Sequence, residues 1–193
     1  RRSAQTAMYH VVEAMARWLA PITSYTADEI WQYIPGERSD SIFLETWYEE
    51  LFELDADTAM NREFWEQIMV VRAAVSKEIE AVRSKGEIGS SLNAEVELYC
   101  NEEYLALLNK LSTELHFIFI TSGASIADEK FCPEEAIQTE VEGIRLKVSA
   151  CEHEKCTRCW HQRFDVGENK QHPELCGRCV ENIEGDGEVR QFA

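Results

Sequence analysis

The chain has 193 residues, 45% of them hydrophobic, and a formal net charge of −17. That length and five tryptophans fit a globular protein with one ordinary core or two small ones, and exclude a disordered chain. No run of about 18 apolar residues occurs, which excludes a membrane-spanning helix, and the start has no signal-peptide pattern.

The charge argues at face value against a nucleic-acid partner, but its distribution weakens that argument. Glu45, Glu49, Glu50, Glu53, Asp55 and Asp57 form one acidic stretch, and Asp128, Glu129, Glu134, Glu135, Glu140 and Glu142 around Lys130 form another. The two carry −6 and −5, so about six of the 17 charges remain for all other surfaces. Seven cysteines lack a disulfide framework, which fits a reducing, cytoplasmic compartment.

Arg1 stands first instead of Met, and helical periodicity is already under way there, so we expect a piece of a longer chain. Met8, Val11, Val12, Met15, Trp18 and Leu19 recur at steps of three and four, the stripe of a core-facing helix closed by Pro21. Thr26-Ala27-Asp28-Glu29 reads as a capping box that opens a second helix carrying Ile30, Trp31 and Ile34, which ends at Pro35-Gly36. Ser41 to Trp47 reads as extended, with Trp47, Tyr48, Leu51 and Phe52 as a lid. A third, longer helix keeps Phe64, Ile68, Val71, Val75, Ile79 and Val82 on one face and ends at Gly86. These three helices predict a bundle over residues 1–86.

The period then changes to two. Val96, Leu98 and Cys100 alternate with Glu95, Glu97 and Tyr99 in a half-buried strand, and Asn101 caps a short helix with Tyr104, Leu105, Leu108, Leu111 and Leu115 as its stripe. Phe117 to Ile120 reads as a buried strand, Ser122-Gly123 as a turn, and Val141 to Val148 as an alternating strand. This predicts a small α/β module over residues 87–150, giving a mainly α chain with a C-terminal zinc-binding module over 151–193.

In that last module, Cys156-Thr157-Arg158-Cys159 is followed by Cys176-Gly177-Arg178-Cys179. Two CxxC knuckles at this spacing predict one structural zinc ion held by Cys156, Cys159, Cys176 and Cys179, with no position open for substrate. A redox dithiol would need only one pair in a βαβ setting. His153, His161, His172 and Cys151 lie close enough to leave a mixed ligand set open, but the paired spacing makes the four cysteines the economical choice. Arg158 and Arg178 sit on the knuckles, where side chains turn outward. Trp160 and His161 offer flat faces for unpaired bases, although Trp160 over the metal core is an equal alternative.

Ala20-Pro21-Ile22-Thr23-Ser24-Tyr25-Thr26-Ala27-Asp28-Glu29-Ile30-Trp31 resembles a signature in the anticodon-binding helical domain of class I aminoacyl-tRNA synthetases of the isoleucine, valine and leucine group. The paired knuckles, together with Gly86-Glu87-Ile88-Gly89-Ser90-Ser91-Leu92-Asn93-Ala94, resemble the C-terminal part of the bacterial isoleucyl-tRNA synthetase family. Asp28 and Asn93 stand where that family is expected to have Glu. The resemblance implies an isoleucine-tRNA ligase as the parent chain. Neither His-Ile-Gly-His nor Lys-Met-Ser-Lys-Ser occurs here, so ATP would belong to a catalytic part outside this chain.

The implied partner is the anticodon arm of isoleucine-accepting tRNA, met by a monomer, with no DNA and no membrane. Charge and exposure then nominate Arg72, Lys77, Arg83 and Lys85 for phosphates, and Arg158, Trp160, His161, Arg163 and Arg178 for bases or backbone. The finger also resembles that of formamidopyrimidine-type DNA glycosylases, but the chain before it offers neither an N-terminal proline nucleophile nor a basic duplex-binding face. The other alternative is a protein-interaction module stapled by zinc.

Overall fold

The computed structural model describes residues 2–192, the side chains of Arg2 and Ser112 apart. It divides into two units, Arg1–Ala56 and Asp57–Ala193. Among the described residues no helix is long and apolar enough to cross a membrane.

The first unit holds α1 (Arg2–Leu19), α2 (Ser24–Tyr33) and a 3-10 turn at Ile42–Leu44. The stripe predicted to face its core does not do so: Met8, Val11, Met15, Trp18 and Leu19 are all exposed, and only Val12 packs inward. The small core is lined instead by Ala16 of α1 and by Ala20 just after it. Their small side chains leave room for Trp31 of α2, Ile34 at its C-terminal cap and Ile42 to fill the interface.

Beside this small core lies a buried ion network. Glu13, only 3% exposed, pairs with both Arg17 and Arg38, and the two guanidiniums flank the Trp31 ring at 4.7 and 4.4 Å. The Trp31 indole N–H donates to the Ser39 carbonyl at 3.0 Å. Burial works to raise the Glu13 pKa, but hydrogen bonds from Arg38 and Arg17 outweigh it and hold the carboxyl below its usual value.

The predicted capping box is also corrected. Helix α2 begins at Ser24, so Thr26 lies inside its first turn, and the N-cap is Thr23, whose hydroxyl donates to the Leu19 carbonyl at 3.3 Å. Asp28 does different work: its carboxylate accepts from the Ser41 hydroxyl at 2.6 Å and the Ile42 amide at 3.0 Å, fixing the 3-10 turn. That turn occupies part of the segment expected to be extended. Trp47, Leu51 and Phe52 are exposed rather than forming a lid, while the Tyr48 hydroxyl meets His10 Nδ1 at 2.7 Å.

The second unit is built on α3 (Arg62–Ser84), with α4 (Glu102–Asn109), α5 (Leu115–Phe119) and a sheet of β1 (Ala94–Cys100), β2 (Gly123–Asp128), β3 (Ile137–Gln138) and β4 (Ile144–Ala150). Every residue of the predicted α3 stripe is buried. It packs with Val96, Leu98, Ile144 and Leu146 of the sheet and Leu108, Leu115 and Phe119 of the short helices. Asn61 caps α3 by accepting from the Phe64 amide at 3.0 Å. At its other end Gly86, at φ +80°, closes a Schellman turn: its amide bonds the Arg83 carbonyl and that of Glu87 bonds Val82.

The sheet order is β2-β1-β4-β3. Strands β1 and β4 pair antiparallel with Val96 opposite Val148 and Leu98 opposite Leu146, and β3 joins β4 antiparallel. Strand β2 runs parallel to β1, so α4 and α5 form the crossover between them. Asn101 caps α4 as predicted, accepting from the Tyr104 amide at 3.0 Å.

Residues 117–120 are not a strand, because α5 continues to Phe119 and Ile120 terminates it in the left-handed conformation at φ 57°. Four consecutive apolar residues satisfy either period, and the local hydrogen bond from the Ile120 amide to the His116 carbonyl decides it here. Gly123 likewise starts β2 instead of sitting in a turn.

Candidate metal centre and nucleic-acid interface

The knuckles are positioned by an isolated bridge between Lys155 and Gln162 and by α6 (Gly177–Glu184), whose N-cap is Cys176. They join the sheet through a short chain of polar contacts. The Ser122 hydroxyl donates to the Leu92 carbonyl at 2.6 Å and accepts the Gln162 amide at 2.7 Å, while Asn93 Nδ2 donates to Gln162 Oε1 at 3.1 Å. The segment that resembles the synthetase family, 86–94, therefore holds the metal module against the strands.

Cys156, Cys159, Cys176 and Cys179 present four sulfurs that all lie within 4.8 Å of one another. Bonds of about 2.3 Å to a tetrahedral zinc require sulfur separations of about 3.8 Å. Cys159 and Cys176 stand at 3.7 Å, and the full set within 4.8 Å needs at most about an ångström of closure to hold zinc. The Cys176 amide donates to Cys156 Sγ at 3.4 Å, and Arg158 Nη1 donates to Cys179 Sγ at 3.6 Å. Such donors favour thiolates.

Burial raises Cys176 to about 12. At Cys159 burial also works upward, but hydrogen bonds from His161 and Arg178 win and hold it at about 5. Crowded thiolates repel, and a dication at their centre lets all four ionise together. No cysteine pair forms a disulfide, and of the nearby alternatives His172 is instead engaged with Glu184 Oε1 at 2.7 Å.

Immediately after the first knuckle, Trp160 is held at φ 67°, with its amide on the Cys156 carbonyl at 2.9 Å. Trp160 is 60% exposed and stands outside the buried cluster formed around the metal cysteines, with Lys155 Nζ 5.3 Å from its ring centroid. Arg158 is exposed beside it.

His161 and Arg178 come together elsewhere, around Phe117 of α5. The rings of His161 and Phe117 are 6.0 Å apart, and the Arg178 guanidinium lies 5.0 Å over the Phe117 ring while pairing with Glu188 at 3.2 Å. Arg190 stacks on the same ring at 3.7 Å. Gln191 and Phe192 donate their amides to Glu114.

Sequence reasoning missed Phe117, His116 and Arg190. Phe117 sits in a run read as buried strand, and the tail that carries Arg190 shows no periodicity.

The other nominated cations are less concentrated. Arg163 pairs with Asp165 at 3.2 Å, Arg83 with Glu80 at 2.9 Å, and Lys77 with Glu140 across to the loop before β4. Lys85 is exposed at the end of α3. Arg72 is half-buried and donates through Nε to the Ile118 carbonyl at 2.9 Å, so it clamps α3 to α5.

Residues 1–98 match the family described as the anticodon-binding domain of tRNA ligase, and residues 154–182 match a zinc finger found in FPG and IleRS. The whole chain is 55% identical to an isoleucine–tRNA ligase of Pseudomonas entomophila. It is 54% identical to isoleucine–tRNA ligase 1 of Pseudomonas fluorescens and 52% identical to the isoleucine–tRNA ligase of Methylococcus capsulatus. In each case it spans 20% of the relative's length. With more than half of its residues matched and a four-cysteine centre to go with the second match, the chain belongs to the family of tRNA-ligase anticodon-binding domains.

Proposed function

We propose that this chain is the tRNA-gripping C-terminal portion of a class I isoleucyl-tRNA synthetase, in which a separate catalytic part uses ATP to join isoleucine to its tRNA. The observation that carries the reading is Trp160, an exposed aromatic residue fixed in a left-handed backbone conformation next to a four-cysteine centre, with Lys155 against its ring and exposed Arg158 two residues before it in the first knuckle. A large ring held outward at such a position costs folding energy without improving the core.

Anticodon bases are unpaired and can be splayed onto flat side chains, a contact worth about 1–3 kcal/mol per base. Arg158 and Lys155 supply charge for the adjoining phosphates, with exposed Lys85, Lys77 and Arg83 extending the basic positions onto α3. His161 and Arg178 are engaged around Phe117 and Arg163 with Asp165, which suits them to shaping the finger's surface instead of contacting bases directly. One zinc ion at the four cysteines would supply rigidity and no reaction chemistry. The protein would act as a monomer in the cytoplasm.

The test is binding at one fixed moderate salt concentration, since phosphate contacts weaken steeply as salt rises. The protein should prefer isoleucine-accepting tRNA over other tRNAs, and Trp160→Ala should weaken that binding roughly 5- to 150-fold, as loss of one stacked base implies. Unchanged affinity in the variant would overturn the role of Trp160. Equal affinity for all tRNAs would overturn the wider reading.

A further inference from the structure

The connector between the sheet and the knuckles carries a second cluster of metal-ligating side chains that tRNA binding leaves unused. Glu95 near the start of β1, Cys151 directly after β4, and His153 present an oxygen, a sulfur and a nitrogen within 4.8 Å of one another. Strand pairing brings them together: Glu95 lies opposite Ser149, and the Cys151 amide extends the ladder by donating to the Asn93 carbonyl at 2.7 Å.

On the other side of Glu95 stands Gly123, where an added Cβ would lie 3.2 Å from Glu95 Cγ. Glycine there leaves the carboxylate room to lie across the strand. The Cys151 sulfur is buried, and its thiol donates to Glu95 Oε1 at 3.2 Å and faces the Gln162 carbonyl at 3.7 Å.

We propose that Glu95, Cys151 and His153 form a second metal site, taking a zinc-like divalent cation on three protein ligands with a fourth position open to water. The donor set selects the ion. A thiolate and an imidazole suit zinc and its neighbours, whereas magnesium and calcium require oxygen ligands throughout. Tetrahedral bonds from zinc to a thiolate and a carboxylate place sulfur and oxygen about 3.6 Å apart. The observed contact therefore needs to open by only a few tenths of an ångström.

On binding, the thiol proton that now faces Glu95 leaves to solvent and the metal takes its place between the two atoms. His153 is exposed and reaches the site from the loop, so the metal would pin residues 151–153 to β1 and stiffen the start of the segment leading to the paired knuckles. This inference stands independently of the tRNA reading.

Zinc and then cobalt are titrated into the purified protein, and bound metal is counted after dialysis for wild type and for His153→Ala. Because the count is read as a difference, other metal sites in the polypeptide do not affect it, and His153, being exposed, can be replaced without disturbing a core. The expected result is one equivalent less in His153→Ala, with a matching loss of part of the sulfur-to-cobalt charge-transfer absorption. Equal metal content and equal absorption in the two proteins would overturn the proposal.

Discussion

The sheet core and the metal module lie in one compact unit yet are held by opposite means. Around α3, 17 apolar residues are buried together and drawn from every layer of the fold. In the module, the buried cluster consists of Cys156, Cys176 and Cys179, with Cys159, Val166 and Leu175 only partly covered. Apolar burial can stabilise the first and cannot stabilise the second, whose ordering entropy has to be met by metal bonds. Removing either support should therefore leave the other standing.

The largest effect is expected from the metal. Binding in small zinc peptides is worth about 10–16 kcal/mol, so chelation or Cys176→Ser should abolish amide protection through residues 156–184. Protection in β1 and β4 should persist. Hydrogen exchange followed residue by residue checks this, and simultaneous loss in the strands would erase the distinction between the two regions.

Next, Leu98→Ala should lower unfolding stability by about 2–5 kcal/mol, since Leu98 is fully buried between the sheet and its helices. Denaturant unfolding measures that loss, and zinc content should remain unchanged below the transition.

A pH effect of intermediate size should arise where the two regions meet. Burial, reinforced by the nearby charges of His161 and Arg163, depresses His116 to about 4. The unfolded imidazole takes its proton near pH 6.5. Between those values the unfolded state binds more protons, so stability should fall as pH drops from about 6.5 toward 4. His116→Phe should flatten this part of the stability profile, and an unaltered slope would assign the effect to another group.

The smallest of these changes should come from Asn101→Ala, which removes the α4 cap and should cost about 1 kcal/mol, read from a urea midpoint. A loss of several kcal/mol would instead mean that the polar contacts at this corner support the sheet.

Legibility in the sequence follows the same contrast. Helix α3, strand β1 and the Asn101 cap were readable because each pairs a strict period or a cap residue with a single buried face. The four metal ligands were readable because two CxxC pairs at that separation have few other uses. Helix α1 misled: its large apolar residues keep helical spacing, but within its unit small alanines and the Glu13 network occupy the buried side.

Short apolar runs misled as well. Leu115 to Ile120 fits either period, and Gly123-Ala124-Ser125 carries too little hydrophobic signal to announce the parallel edge strand that it begins. Of the nominated tRNA contacts, type and position in sequence were visible but engagement was not. Nothing near Arg72 foretells its bond to Ile118, 46 residues away.

In the proposed role the metal module would serve tRNA and take no part in activating the amino acid. That role is tested most directly in the full synthetase carrying Cys176→Ser, by measuring isoleucine activation with ATP and isoleucine transfer to tRNA side by side. The account predicts a large loss of transfer with activation nearly unchanged. Parallel loss of both would contradict it, because the metal would then be supporting the catalytic fold as a whole.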